Sequence, residues 1–250
     1  MTAIRVLIAA AGRGSRAGVP YPKALQPVLG RPILVRQIEL LRSIDPRPTV
    51  IVNPQARPAI MECLLDHHLD ADLVEQDTPT GMGDAVVCFR KARSAQTADH
   101  LLLVWGDIPL LQWRTVRELR RSHLAHANDF TFVSSWVQSA YTLVTRRPDG
   151  SVDGVEETRE TGRRPGPGER DIGVFLFRAA PVLSLLGQRL PGALGRTTRE
   201  HGFLYVVRHL VDRGYRVEAL PIASPSDLIS FNQLSDLDAV YDVSPSRSTT

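Results

Sequence analysis

Between residues 12 and 23 the chain sets three cations, Arg13, Arg16 and Lys23, among three glycines, Gly12, Gly14 and Gly18. Small residues let a backbone approach a ligand closely, and free N–H groups with nearby cations suit an anion. The run Ala9-Ala10-Ala11 before them has the same property, and the segment predicts a cradle for a triphosphate. A second chemical feature follows the apolar run His100–Trp105, which passes straight into Gly106-Asp107-Ile108-Pro109. Asp107 supplies a hard oxygen of the kind that holds a divalent cation.

Two familiar glycine loops do not fit. A dinucleotide fingerprint needs G-x-G-x-x-G, whereas Gly12, Gly14 and Gly18 give G-x-G-x-x-x-G. The acid expected at the end of the second strand is replaced by Asn53. A P-loop needs G-K-[ST], which is absent. No Ser/His/Asp or Cys/His set stands out, and the seven histidines fall at no metal-ligand spacing.

Alternating strand and helix patterns must position these loops. Ile4, Val6, Leu7 and Ile8 form a buried-strand pattern, and further strands are predicted at Thr49–Val52, Asp72–Val74 and His100–Trp105. Between them, helices are predicted at Pro32–Arg42, Arg57–His67, Gly83–Ala92 and Thr115–His126. The second half predicts strands at Phe130–Val137, Ala140–Val144, Val152–Glu157, Ile172–Phe177 and Arg216–Ala219. Helices are predicted at Ala180–Gln188, at Thr197–Arg213 before Gly214, and at Leu234–Tyr241. TRETGRRPGPGER, rich in Arg, Gly and Pro, reads as a mobile surface loop. The pattern is that of an α/β fold, Rossmann-like, with a mixed but mostly parallel sheet flanked by helices. One domain over residues 1–243 is expected, followed by a polar, disordered tail at 244–250. In open sheets of this kind, ligands bind beyond the carboxyl ends of the strands, where both loops lie.

Composition narrows the partners. Of the 250 residues, 43% are hydrophobic and 23% charged, which fits one soluble α/β domain. The net charge of +3 comes with no Lys/Arg run interleaved with aromatics, so nucleic acid is not expected. No apolar segment reaches the ~18 residues of a membrane span, and no signal peptide precedes the first strand. Cys63 and Cys88 lie in helical apolar patterns and read as buried free thiols. A cytoplasmic location follows.

The run AAAGRGSRAG…PKALQPVLGRPIL resembles the signature of the nucleotidyltransferases that activate sugar 1-phosphates. It is most similar to the uridylyltransferase domains of the enzymes that make UDP-N-acetylglucosamine. Gln76 with Thr80-Gly81-Met82-Gly83-Asp84-Ala85-Val86 resembles a base-contacting Q…GTGHAV segment. Trp105-Gly106-Asp107-Ile108-Pro109-Leu110 resembles a YGDVPL metal loop, and Phe231–Leu237 resembles a late segment with a second, asparagine metal ligand. The resemblance spans most of residues 4–240.

It implies in-line attack of a sugar-1-phosphate oxygen on the α-phosphorus of a nucleoside triphosphate, with Mg²⁺ as cofactor. The nucleophile is already an anion, so positioning and charge neutralisation replace a general base. Arg16 and Lys23 become the catalytic cations. Ala9, Ala10, Ala11, Gly12, Gly14, Gln76, Thr80, Gly81 and Met82 become the nucleotide site. Asp107 and Asn232 become metal ligands. Trp105, Gly106, Thr142, Glu156, Glu157 and Asp171 fall on the acceptor side.

Several positions depart from the pattern on that side. Thr142 replaces a glycine, and Asp171 in DIGVF stands where the family reads NTGI. Trp105 replaces a tyrosine, Asp84 a histidine, and Phe203–Val207 an acidic-aromatic YYLTD segment. No acetyltransferase repeat follows, so a single activity is expected: transfer of a nucleoside monophosphate, UMP from UTP, to a sugar 1-phosphate. A cytidylyl or guanylyl transfer to another phosphate or phosphonate keeps the same chemistry. A metal-dependent glycosyltransferase would ask for D-x-D, which Asp107-Ile108-Pro109 does not provide. A non-catalytic nucleotide sensor would have no need of Arg16, Lys23 and Asp107 together.

Overall fold

The computed structural model describes residues 2–12 and 21–243. Arg13, Gly14, Arg16, Gly18 and the 244–250 tail lie outside the described residues. The elements run β1 (Ile4–Ala9), β2 (Pro27–Val28), β3 (Arg31–Pro32), α1 (Ile33–Leu41), β4 (Thr49–Val52), α2 (Arg57–Asp66), β5 (Asp72–Glu75) and α3 (Met82–Val87). They continue with β6 (His100–Trp105), α4 (Trp113–Ala125), β7 (Phe130–Ala140), β8 (Thr142–Arg146), β9 (Val152–Glu157) and α5 (Thr158–Thr161). The last are β10 (Gly166–Arg178), α6 (Ala179–Gln188), α7 (Val206–Asp212), β11 (Val217–Leu220) and α8 (Asp236–Val243).

A seven-stranded sheet has the order β11-β7-β10-β6-β1-β4-β5. All its described pairings are parallel except those of β10, which runs antiparallel to β6 and β7. From β1 the chain builds outward through β4 and β5, then returns to place β6 on the other flank. That reversal opens a crevice at the carboxyl ends of β1 and β6, the place where sheets of this type bind ligands.

Strand alternation supplies two cores, one on each face of the sheet. Leu7, Leu101, Leu103, Phe175 and Phe177 pack under α3, α6 and α7. Val6, Ile8, Leu102, Val104 and Leu176 pack under α1, α2 and α4. The first core is aromatic: Phe130 stacks on Phe177 at 5.5 Å, and Phe203 meets Phe175 edge-on at 5.1 Å.

Several sequence expectations fail. TRETGRRPGPGER is not a mobile loop. Thr158–Thr161 forms one helical turn closed by Gly162 at φ +72°, and Gly166 begins β10. Long-range pairing decides this, because β7 extends to Ala140 and offers partners to Gly166 and Gly168. The helix expected over Thr197–Arg213 is confined to Val206–Asp212. Upstream, the amides have tertiary partners: Thr197 N–H donates to Glu160, His201 N–H to the Thr80 carbonyl, and Gly202 N–H to the Ala193 carbonyl. Residues 192–205 therefore form a strap that folds back over 195–200, where Leu194 bridges His201. The cysteines are free but only half-buried, not fully buried as expected.

A polar chain crosses the base of the sheet. His123 is fully buried on α4, with Nε2 2.8 Å from His100 Nδ1 and Nδ1 2.8 Å from the Thr131 hydroxyl. Burial, then the neighbouring His100, pushes the His123 imidazole down to about 4. The unfolded chain binds this proton near pH 6.5, whereas the folded chain resists it to about pH 4. The stabilising difference is present above pH 6.5 and declines as pH falls from there towards 4. We expect the midpoint of urea unfolding to fall between pH 7 and pH 5, and the fall to be smaller in His123→Leu.

Candidate active site

An open cleft of about 890 Å³ lies over the carboxyl ends of β1, β5 and β6. Its floor is the end of β1. Gly106 N–H donates to the Ala9 carbonyl at 3.0 Å, bringing the end of β6 against β1. A Cβ at Gly106 would stand 2.8 Å from the Ala9 oxygen, so the contact needs glycine. Asp107, the next residue, is thereby held over the β1 loop.

Two neighbours fix the Asp107 turn. Gln37, buried on α1, donates from Nε2 to the carbonyls of Trp105 (2.9 Å) and Ile108 (3.1 Å). From the C-terminal side, Phe231 N–H donates to the Asp107 carbonyl at 2.8 Å, which brings Asn232 alongside. The Asn232 backbone and Gln233 N–H both donate to Asp236 at the start of α8.

Lys23 closes the group. Its ammonium donates to Asp107 Oδ2 at 3.0 Å and to Asn232 Oδ1 at 2.9 Å. Asp107 Oδ1 is buried and has no hydrogen-bond partner among the described residues. A carboxylate and an amide oxygen, one carboxylate oxygen still unpartnered, with a cation already between them, form a donor set that fits a hard divalent ion. No group of three or more His, Cys, Asp or Glu residues suits a metal among the described residues, so water and substrate oxygens would complete the shell.

The β5 end supplies the next wall. Gln76 is buried beyond β5 and donates from Nε2 to the Gly81 carbonyl at 3.1 Å. Gly81 adopts φ +120°, and α3 starts at Met82. Ala9, Ala11, Gly12, Gln76, Gly81 and Met82 all face the cleft. Ala10 and Thr80 lie behind it: Ala10 N–H donates to the Ile51 carbonyl, and the Thr80 carbonyl accepts from His201.

The opposite wall combines β9, α5 and the strap. Trp105 and Glu157 line the cleft, whereas Glu156, one residue out of phase, turns away to pair with Arg163 at 3.1 Å. Glu157 is paired with Arg159. Thr142 and Asp171 do not line the cleft; the Thr142 hydroxyl donates to Asp171 Oδ1 at 2.6 Å. Asp171 is fully buried and also accepts from Gly173 N–H at 2.9 Å. Burial pushes its carboxyl above the usual range, against the pull of the Thr142 hydroxyl, the Gly173 N–H and Arg170.

Sequence reading missed two contributors. Gln37 interrupts the apolar stripe Ile33, Leu34, Ile38, Leu41, and that misplaced polar residue was the available signal. Glu160 accepts from Thr197 N–H, Thr198 N–H and the Thr198 hydroxyl, and so holds the strap. No pattern around Glu160 announces this.

A mixed α/β sheet with its cleft at the strand carboxyl ends defines the class as a Rossmann-like nucleotide-handling protein. The MobA-like NTP transferase domain matches residues 6–210, and the chain belongs to that family of nucleotidyltransferases. It is 30% identical over 226 residues to the bifunctional protein GlmU of Leifsonia xyli, covering 88% of this chain and 45% of that protein. It is likewise 30% identical over 244 residues to GlmU of Kineococcus radiotolerans, covering 94% of this chain and 48% of the relative. The chain thus spans about half the length of these curated relatives. A Bacillus anthracis crystal structure, described as a glucose-1-phosphate thymidylyltransferase in complex with sucrose, superposes with a TM-score of 0.75. That match covers 99% of this chain and 97% of the other at 15% identity, and shows the shared fold. No helix among the described residues is long and apolar enough to cross a membrane.

Replacing Gln37 by Leu strips two buried carbonyls of their donor. We expect a loss of about 2 kcal/mol in urea unfolding, the order for two unmet hydrogen bonds partly rescued by water.

Proposed function

We propose that this chain transfers a nucleoside monophosphate, UMP from UTP, to the phosphate of a sugar 1-phosphate, with release of pyrophosphate. The observation that carries the reading is the Lys23–Asp107–Asn232 group, in which Asp107 Oδ1 has no partner among the described residues. An acceptor phosphate oxygen attacks the α-phosphorus, the bond to the β-phosphate oxygen breaks, and pyrophosphate leaves with the bonding pair. The attacking oxygen is an anion, so the site works by alignment and charge neutralisation.

In this reading, Gln76 and the turn Thr80–Met82 hold the base. Ala9, Ala10, Ala11, Gly12 and Gly14 bring backbone close to the triphosphate. Lys23 leaves its carboxylate for the phosphates, as a mobile point charge can. Arg16 steadies the leaving pyrophosphate. Asp107 and Asn232 would hold Mg²⁺. Nucleotidyltransferases of this kind generally depend on a divalent metal, which neutralises phosphate charge when bound. Backbone bonds hold the main chain at Asp107 and Asn232, so both residues stand beside each other over the sheet.

The acceptor wall differs from the pattern that the resemblance implies. Thr142 and Asp171 satisfy each other outside the cleft and Gly106 packs against Ala9, which leaves acceptor recognition to Trp105, Glu157 and the strap. Glu156 faces away and takes no part in this reading. The acceptor phosphate is therefore expected to carry a group other than an N-acetylated sugar, and a phosphonate or another phosphate with CTP or GTP remains within the same chemistry.

An assay of pyrophosphate release with UTP, CTP, GTP and dTTP against a sugar-phosphate and phosphonate panel tests the function. Turnover with none of these pairs would overturn it. Lys23→Ala is expected to lose at least about 100-fold in kcat, the scale of removing one transition-state charge contact, while still binding nucleotide. Mn²⁺ titration followed by Trp fluorescence or calorimetry should show binding to the wild type and none to Asp107→Ala, independently of activity.

A further inference from the structure

Two of the sequence departures noted above meet in space through His201. Asp84 stands where the resemblance expects a histidine, and Tyr205 lies in the divergent Phe203–Val207 segment, which begins two residues after His201. His201 Nδ1 lies 2.8 Å from Asp84 Oδ1, and its Nε2 lies 3.2 Å from the Tyr205 hydroxyl. The His201 side chain is 1% exposed, against 18% for its partner Asp84. Arg189 NH2 reaches both Asp84 oxygens, at 3.2 and 3.3 Å. Burial raises the Asp84 carboxyl, but hydrogen bonds from Thr80 and His201 outweigh it and hold the group below its ordinary value.

The backbone at the same place is also crossed. His201 N–H donates to the Thr80 carbonyl at 2.7 Å, and Gly83 N–H donates to the His201 carbonyl at 2.9 Å. Cβ atoms at Gly81 and Gly83 would stand 2.3 and 2.2 Å from the carbonyls of His201 and Gly202. The glycines let the strap lie directly on the turn whose Gly81 carbonyl accepts from Gln76. One residue thus touches the turn that faces the base and belongs to the strap that forms the far wall. Phe203, two residues on, is anchored in the aromatic core, and Glu160 pins the strap at Thr197 and Thr198. Along the strap, Leu194, Arg196, Thr198 and Glu200 line the cleft.

We propose that His201 is a positioning residue that ties the base-facing turn Thr80–Gly83 to the strap, so that nucleotide binding and the placement of the acceptor wall are one event. The pairing Asp84–His201–Tyr205 carries the tie. The proposal rests on the nucleotidyl-transfer reading of this cleft.

Strap order can be read without turnover, because Arg196 and Arg199 are exposed on it and are trypsin sites. In the wild type, Mg²⁺ with whichever of UTP, CTP, GTP or dTTP binds most tightly should slow cleavage after both arginines. His201→Leu removes the pairing while filling the space. It should weaken binding of that nucleotide about tenfold or more, the size expected for a buried hydrogen bond to a charged group, and abolish nucleotide-dependent protection. His201→Asn keeps a donor near the Nδ1 position and should restore most of both effects. A purely structural histidine would lower the unfolding midpoint without separating Leu from Asn in these two readouts. If His201→Leu does not fold, Asp84→Ala is compared in the same way, with the same loss expected. Equal affinity and equal protection in wild type and variant overturn the proposal alone. Absence of binding by all four nucleotides to the wild type overturns the nucleotide reading and this proposal with it.

Discussion

The close abutment of β6 against β1 is the constraint on which the site depends. The two strands pair in register from Ile4 with His100 to Ala9 with Trp105, and the Gly106–Ala9 hydrogen bond extends the pairing by one step. Only a residue without Cβ fits there. The carboxylate of Asp107 is consequently delivered to one point above the sheet, within reach of both Lys23 and Asn232. A looser junction would let it turn to solvent, where a carboxylate is content alone.

That point is then over-determined. Gln37 holds the turn from below through two carbonyls, and Phe231 holds it from the side through one. The buried Asp107 Oδ1, unpartnered among the described residues, is what this rigidity makes possible. An unmet buried acceptor is costly, and it persists where the surrounding structure leaves it no alternative. Such an atom is suited to an ion that arrives with its own charge. By contrast, Asp171 is met on both oxygens by Thr142 and Gly173, and its burial makes it a structural group.

Much of the fold was legible because local and global preferences agree in it. His100–Trp105 and Val152–Glu157 read as strands and form them over the same residues. The helices α1, α2 and α6 fall within a residue or two of their apolar periodicity. Legibility ended where tertiary partners captured the backbone. Glycine and proline in Gly166–Gly168 read as loop, yet β7 was long enough to pair with them. Thr197–Arg213 read as one helix, yet in its first part Glu160, Thr80 and Ala193 took amides that a helix needs. Of the motif residues picked out in the sequence, Lys23, Gln76, Gly81, Trp105, Asp107 and Asn232 share one cleft.

The sequence by itself determined the family, the alternation of strands and helices, and the residue types able to handle phosphate and a divalent ion. These are properties of short segments, written in glycine spacing, apolar period and side-chain charge. Only the tertiary structure decided that Glu157 rather than Glu156 faces the cleft, that Thr142 and Asp171 close on each other, and that Asp84 meets His201. Each depends on strand phase or on contacts between segments distant in the chain; Asp84 and His201 are separated by 117 positions. Such pairings follow from the way the sheet brings its edges and crossovers together, which no local pattern encodes.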